Sequence, residues 1–297
     1  MPDLPVPVEV TPGLLRRWPL PSHADGSSKT DRGQVLVVGG AAQTPGAVLL
    51  AAQASLRAGA GKLAVATVAS TAAALAVAVP EALVQALPET EAGALSRRGA
   101  SKVVDMAASA TAVLLGPGMT DADECCALAA EVVERAGDGA VVLDALALAV
   151  LERDPEILAG WGGRAVLTPN RKELALMLGV DEGRVDAGAQ RCVLDAARRY
   201  RAVVSLGGGE SLIADPGGTL WHETSGSVGL GVSGSGDCAA GVVAGLLARG
   251  AEPAQAAVWA AHLHGSAGDR LATRVGRVGY LAREVADEVP LVLSMYD

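Results

Sequence analysis

Short apolar runs recur along this chain, and each one stops at a turn-forming or acidic residue. Gln34–Val38 ends at Gly39-Gly40, Ala112–Leu115 at Gly116-Pro117-Gly118, Ala140–Leu143 at Asp144, Ala165–Leu167 at Thr168-Pro169, and residues 202–206 at Gly207-Gly208-Gly209. Runs this short do not make helices, and runs this uniformly apolar leave no face for water, which marks strands buried on both sides. Stretches of good helix formers separate them, at 47–57 behind Pro45-Gly46, at 121–136 and at 186–200. Strand and helix in alternation predict an α/β fold, a mainly parallel central sheet with helices on both faces. In such folds ligands collect beyond the carboxyl ends of the strands. The residues that stop the runs are therefore the first place to look for chemistry.

Other segments fit around this frame. Residues 62–67 give a further strand. The most hydrophobic window, 63–79, is interrupted by Thr67, Ser70 and Thr71 and ends at Pro80, so it reads as strand, turn and helix rather than as a membrane span. Ser211–Ala214 and residues 219–223, joined through Asp215-Pro216-Gly217-Gly218, predict an antiparallel hairpin at one edge of the sheet. Three helical segments, at 237–249, 253–271 and 279–287, make a C-terminal layer. Residues 1–30 read as an irregular or loosely helical lead-in and 31–297 as one domain, because no internal linker shows a sharp change of composition. Phe is absent and aromatic residues make up 2%, so Ala, Val and Leu must fill the core, which favours close packing of helix on sheet.

Composition also excludes several functions. A formal net charge of -9 with a pI near 5.0 argues against a non-specific nucleic-acid binder, which needs a basic face to displace counterions. The four cysteines include the adjacent pair Cys125 and Cys126 and no C-x-x-C spacing, so they form neither a zinc signature nor a disulfide framework. The first 21 residues carry prolines and no apolar run of signal-peptide length, and the expected setting is reducing and cytoplasmic, without a membrane. Gly59-Ala60-Gly61-Lys62 resembles the end of a Walker loop, yet Leu63 stands where Ser or Thr is needed and the segment enters a strand. No G-x-G-x-x-G follows the first strand, which disfavours a hydride-transferring dinucleotide enzyme. His262 and His264, two apart on a helix, point to different faces and make no metal pair, and no metal-ligand set is expected.

Gly234-Ser235-Gly236-Asp237, ahead of an apolar run to Leu247, is the segment richest in chemistry. It puts a carboxylate at a helix N-terminus, where amide groups lack intrahelical partners and glycines allow a ligand close approach. An anion cradle beside a base suits transfer of a phosphoryl group to a hydroxyl. On local sequence alone, Asp237 could equally cap the helix while the glycines form a tight turn.

Taken with other segments, this loop resembles those of the ADP- or ATP-dependent NAD(P)H-hydrate dehydratases, which have a ribokinase-like three-layer α/β/α sandwich. The resemblance runs from about 31 to 290 and rests on residues 32–40, Pro45-Gly46-Ala47, 56–61, Gly116-Pro117-Gly118, 142–145, Thr168-Pro169-Asn170 with Glu173, 233–241 and 263–269. It implies a repair enzyme that phosphorylates the ring hydroxyl of hydrated NADH or NADPH and eliminates phosphate. By this resemblance Asp237 is the base, and Gly234, Ser235 and Gly236 stabilise the transferred phosphoryl group. Gly207, Gly208, Gly209, Glu210 and Ser211 match the adenine-nucleotide segment, and Ala47, Gly118 and Asn170 match the hydrated-cofactor pocket. The resemblance further implies Mg2+ on the nucleotide, a homo-oligomer, and an epimerase supplied by a separate chain.

Local sequence offers plainer roles for the same residues: a helix start at Ala47, a tight turn at Gly118, a strand-to-hairpin loop at 207–211, and an N-cap at Asn170 with Glu173 three residues on. Three positions depart from the family pattern. Asn170 replaces a histidine, Gly207 a lysine, and Leu146 an aspartate, leaving Asp144 as a strand-end turn residue or a contact on the phosphate side. Losing a lysine beside phosphates removes roughly 1 kcal/mol or more of Coulomb attraction. Two other functions share these motifs: a small-molecule kinase of the same fold, acting on a vitamin-precursor or sugar-like alcohol, and a nucleotide-binding regulatory protein without turnover.

Overall fold

The computed structural model describes residues 4–22, 28–135 and 137–296. Residues 1–3 and 23–27 of the expected lead-in, Ala136 at the end of one expected helix, and Asp297 lie outside the described residues. The chain runs through β1 (Val8–Glu9), α1 (Pro12–Arg17), β2 (Gln34–Val38), α2 (Pro45–Arg57), β3 (Lys62–Val68), α3 (Ala69–Ala78), β4 (Ala82–Leu87) and α4 (Ala100–Ala107). It continues through β5 (Ala112–Leu115), α5 (Ala122–Arg135), β6 (Ala140–Leu143), α6 (Val150–Arg153), β7 (Ala165–Leu167), α7 (Arg171–Leu178), α8 (Glu182–Tyr200) and β8 (Val203–Leu206). The hairpin strands β9 (Ser211–Ala214) and β10 (Leu220–Glu223) follow, and then α9 (Ser235–Ala248), α10 (Pro253–Arg274) and α11 (Ala282–Leu293).

One ten-stranded sheet holds the molecule together, in the order β1-β10-β9-β8-β7-β6-β5-β2-β3-β4. Neighbours pair in parallel except β8 with β9 and β9 with β10. Alternate residues of the parallel strands enter different cores: Val35 and Val37 belong to the core that α2, α9, α10 and α11 cover, whereas Leu36 and Val38 belong to the one that α4, α5, α7 and α8 cover. The apolar runs are continuous because both sheet faces are covered, as the sequence predicts. Strand order turns back between β5 and β2, which leaves a crevice at the carboxyl ends of those strands.

The N-terminal region contains the short helix that an irregular or loosely helical lead-in allows, and also a strand that was not expected. β1 pairs in parallel with β10, Val8 opposite Trp221 and Glu9 opposite His222, so the outermost strand beyond the hairpin comes from the beginning of the chain. Thr11 caps α1 by accepting the Leu14 N–H, and Leu15 is fully buried. Trp18 stacks on Trp221 with ring centres 5.9 Å apart, and its carbonyl accepts the Trp259 indole N–H at 2.9 Å. A two-residue strand and a six-residue helix are too short to show any periodicity in sequence. Elsewhere, α9 begins two residues before its expected start, and α11 continues past 287 with Pro290 inside it. None of the described helices is long and apolar enough to cross a membrane.

Small residues bring α2 and α9 together. A β-carbon on Gly241 would lie 2.3 Å from the Ala51 carbonyl oxygen, and one on Gly245 2.4 Å from that of Ser55. The Ser55 hydroxyl is shared between the Ala51 and Gly241 carbonyls, at 2.9 and 3.0 Å. Backbone lies on backbone here, which fixes α9 against the sheet.

Candidate active site

The N-terminus of α9 is built on Gly234, whose φ of 90° favours glycine and whose missing side chain leaves room for Leu50 of α2. The Ser235 N–H turns back to the Val232 carbonyl at 3.1 Å, and the Ser235 hydroxyl lies 3.0 Å from Nε2 of His264 on α10. Asp237 sits in the first helical turn but is not its cap, since Gly234 occupies that position and no side-chain cap bond forms. Burial raises the Asp237 carboxyl to about 6, and the charge of Glu173 adds to the effect.

Two further carboxylates come from the end of β6 and from the first turn of α7. Asp144, behind β6, accepts the Thr168 hydroxyl at 2.7 Å; burial raises it to about 8 against that bond, with Asp237 and Glu173 pushing the same way. Glu173 is also raised by burial. It forms a capping box with Asn170: Asn170 Oδ1 accepts the Glu173 N–H at 2.9 Å, and Glu173 Oε2 accepts the Asn170 N–H at 2.8 Å. Asn170 therefore holds the N-cap role read from sequence while also lining the cavity beside the helix. The sequence offered Glu173 only as a capping partner, and its share in this acidic cluster follows from where α7 begins.

A cavity of about 710 Å3 opens beside these groups. Its walls include Thr168, Asn170, Gly207, Gly208, Gly209, Ser211, Ser235, Gly236, several residues of the 225–232 loop, and Ala260, Ala261 and His264 of α10. The loop and α10 contribute mostly apolar surface, and no local pattern marks residues 225–232, Ala260 or Ala261 as cavity wall, because they meet the glycine loop only in three dimensions. Glu210, expected with the nucleotide residues, is not in the wall. Its carboxylate pairs with Nε2 of His222 at 2.8 Å, while His222 Nδ1 lies 3.1 Å from Glu9. One residue after Gly207, the position that lacks the lysine, a β-carbon on Gly208 would stand 4.0 Å from Nε of Arg171, which also pairs with Asp186 at 3.2 Å.

Ala47 and Gly118 are outside this cavity but adjacent to each other, at the crevice where strand order turns back. A β-carbon on Gly118 would lie 2.8 Å from that of Ala47, and the Thr44 hydroxyl donates to the Gly118 carbonyl at 2.6 Å. The start of α9 connects the two regions: Ser235 and Gly236 line the cavity, while Gly234 packs on Leu50 of the helix that carries Ala47.

Among the described residues no three His, Cys, Asp or Glu side chains form a metal cluster. The mutually repelling Asp144, Glu173 and Asp237 suit instead a hard cation that one or two carboxylates hold together with phosphate oxygens and waters.

The sequence model of the NAD(P)H-hydrate dehydratases matches residues 35–291. The chain belongs to this family. It is 46% identical over 289 residues to an ADP-dependent (S)-NAD(P)H-hydrate dehydratase of Xanthomonas campestris, covering 96% of each chain. A bifunctional NAD(P)H-hydrate repair enzyme of Moorella thermoacetica is 36% identical over 277 residues, 93% of this chain but 52% of that protein. Among solved structures, an ADP/ATP-dependent NAD(P)H-hydrate dehydratase of Bacillus subtilis, co-crystallised with ATP and Mg2+, superposes with a TM-score of 0.80 at 25% identity, covering 97% and 98% of the two chains. The dehydratase family and its ribokinase-like sandwich thus agree with the fold and with the residues that carried the resemblance.

Proposed function

We propose that this chain removes water from hydrated NADH or NADPH in a reaction that consumes ADP or ATP. The observation that carries this reading is the Asp237 carboxylate, raised to about 6 and set in the first turn of α9 beside a cavity of about 710 Å3. The nucleotide belongs in the cavity, its base against the 225–232 loop and α10, its phosphates toward Ser235 and Gly236. The hydrated ring belongs on the other side, against Ala47 and Gly118.

Asp237 takes the proton of the ring hydroxyl as that oxygen attacks the terminal phosphorus. The bond from this phosphorus to its bridging oxygen breaks, and the nucleotide departs one phosphate shorter. Amide groups at the positive end of α9 stabilise the charge carried across. Phosphate then leaves the ring carbon with the bonding electrons, and loss of a proton from the adjacent carbon restores the double bond. Mg2+ held by Glu173 and Asp144 would neutralise charge on the nucleotide phosphates. The protein works as a cytoplasmic homo-oligomer alongside an epimerase activity on the same hydrates.

The test is incubation of hydrated NADH with ADP or ATP and Mg2+, which is expected to restore the absorbance of the dinucleotide in the near ultraviolet. No recovery with either nucleotide, together with phosphorylation of a pyrimidine or thiazole alcohol, would replace this reading with a small-molecule kinase.

A further inference from the structure

At the first residue of α9 the direction in which the Ser235 hydroxyl donates is open. Because the Ser235 N–H is already given to Val232, Ser235 can reach a bound anion only through its hydroxyl. That hydroxyl has one proton and lies 3.0 Å from His264 Nε2, with both residues in the cavity wall. If Nε2 is bare, it accepts the serine proton and turns lone pairs toward any phosphate. If Nε2 carries hydrogen, it donates to Oγ and releases the serine proton toward the cavity. Only the second arrangement attracts an anion.

We propose that His264 is a positioning residue, held as the Nε2–H tautomer, which donates to the Ser235 hydroxyl and so aims that hydroxyl's proton at the phosphate of a bound nucleotide. The assignment rests on the nucleotide reading given above and adds a role for a residue on α10. Burial pushes the His264 imidazole down to about 4, so it stays neutral at physiological pH and can hold a single tautomer. Its neighbour His262 faces elsewhere, toward Glu223 at 3.2 Å and Tyr296 at 2.6 Å, and takes no part.

ADP and adenosine are titrated into wild type, Ser235→Ala, His264→Leu, His264→Gln and the Ser235→Ala/His264→Leu double variant, each first shown folded by thermal melting. Ser235→Ala and His264→Leu are each expected to weaken ADP roughly tenfold, in keeping with loss of a hydrogen bond to a charged group. The double variant is expected to be no weaker than either single one, because both remove the same bond. His264→Gln, whose amide N–H can still donate, should stay within about threefold of wild type, and adenosine should bind all five proteins alike. In nitrogen-15 spectra of the free protein, Nε2 of His264 should be the protonated ring nitrogen. An Nδ1–H tautomer, additive losses, or equal weakening of adenosine would each overturn the assignment. Wild type that binds no ADP overturns the nucleotide reading and this one with it. Wild type and His264→Leu binding ADP equally well would overturn the positioning role alone.

Discussion

Asp237 carries the proposed chemistry, and two expectations follow at the scale of this residue. Asp237→Asn keeps size and hydrogen-bonding capacity but cannot take a proton; turnover should fall by about 10²–10⁴-fold with nucleotide binding nearly intact. A single-turnover assay beside a binding titration checks this, and an unchanged rate would remove Asp237 from the mechanism. The second expectation is a pH profile. Only the ionised carboxylate can act as base, and burial has raised it to about 6, so kcat/KM should be level above that value and drop about tenfold per unit below it. A profile that stays flat down to pH 5 would contradict the assignment. The place of Asp237 in the first turn of a helix was legible in sequence because its signal is local, a glycine loop followed by an apolar helix. The Ser235–His264 and Glu210–His222 contacts were not, since their partners lie 29 and 12 positions apart and only the fold brings them together.

At the scale of elements, the start of α9 depends on Gly234. Gly234→Ala would strain the backbone at a φ of 90° and put a β-carbon 2.3 Å from Leu50 Cδ1. It should lower unfolding free energy by about 1–3 kcal/mol and lower turnover as well. Adding Leu50→Ala relieves the contact but leaves the backbone strained, so urea unfolding of the double variant should show no recovery of that strain; full recovery would argue against it. Strands β2, β5, β6 and β7 follow the sequence to the residue because burial on two faces makes their composition uniform and a turn residue ends each. β4 was missed: most of its residues are partly or fully exposed, so its sequence has neither a continuous apolar run nor clean alternation. Asn170 could be read as a cap from its spacing to Glu173, while the cavity wall it also forms depends on α10, far along the chain.

For the molecule as a whole, the N-terminal segment belongs to the folded body. Leu15→Ala should cost about 2–5 kcal/mol of stability, measured by urea unfolding, because its side chain is fully enclosed. A loss under 0.5 kcal/mol would mean that α1 contributes little. The overall sandwich was legible from strand–helix alternation, whereas β1 was hidden by its length and by dependence on β10 for its pairing. The Ser55 hydroxyl shared with Gly241 joins positions 186 apart, and the helices it links bear the two sides of the reaction site. During synthesis the early part of that site must wait, unpartnered, until the late part has left the ribosome, and distant closures of this kind slow folding. Catalytic competence therefore arrives abruptly, once α9 and α10 have been made, instead of growing with the length of the nascent chain.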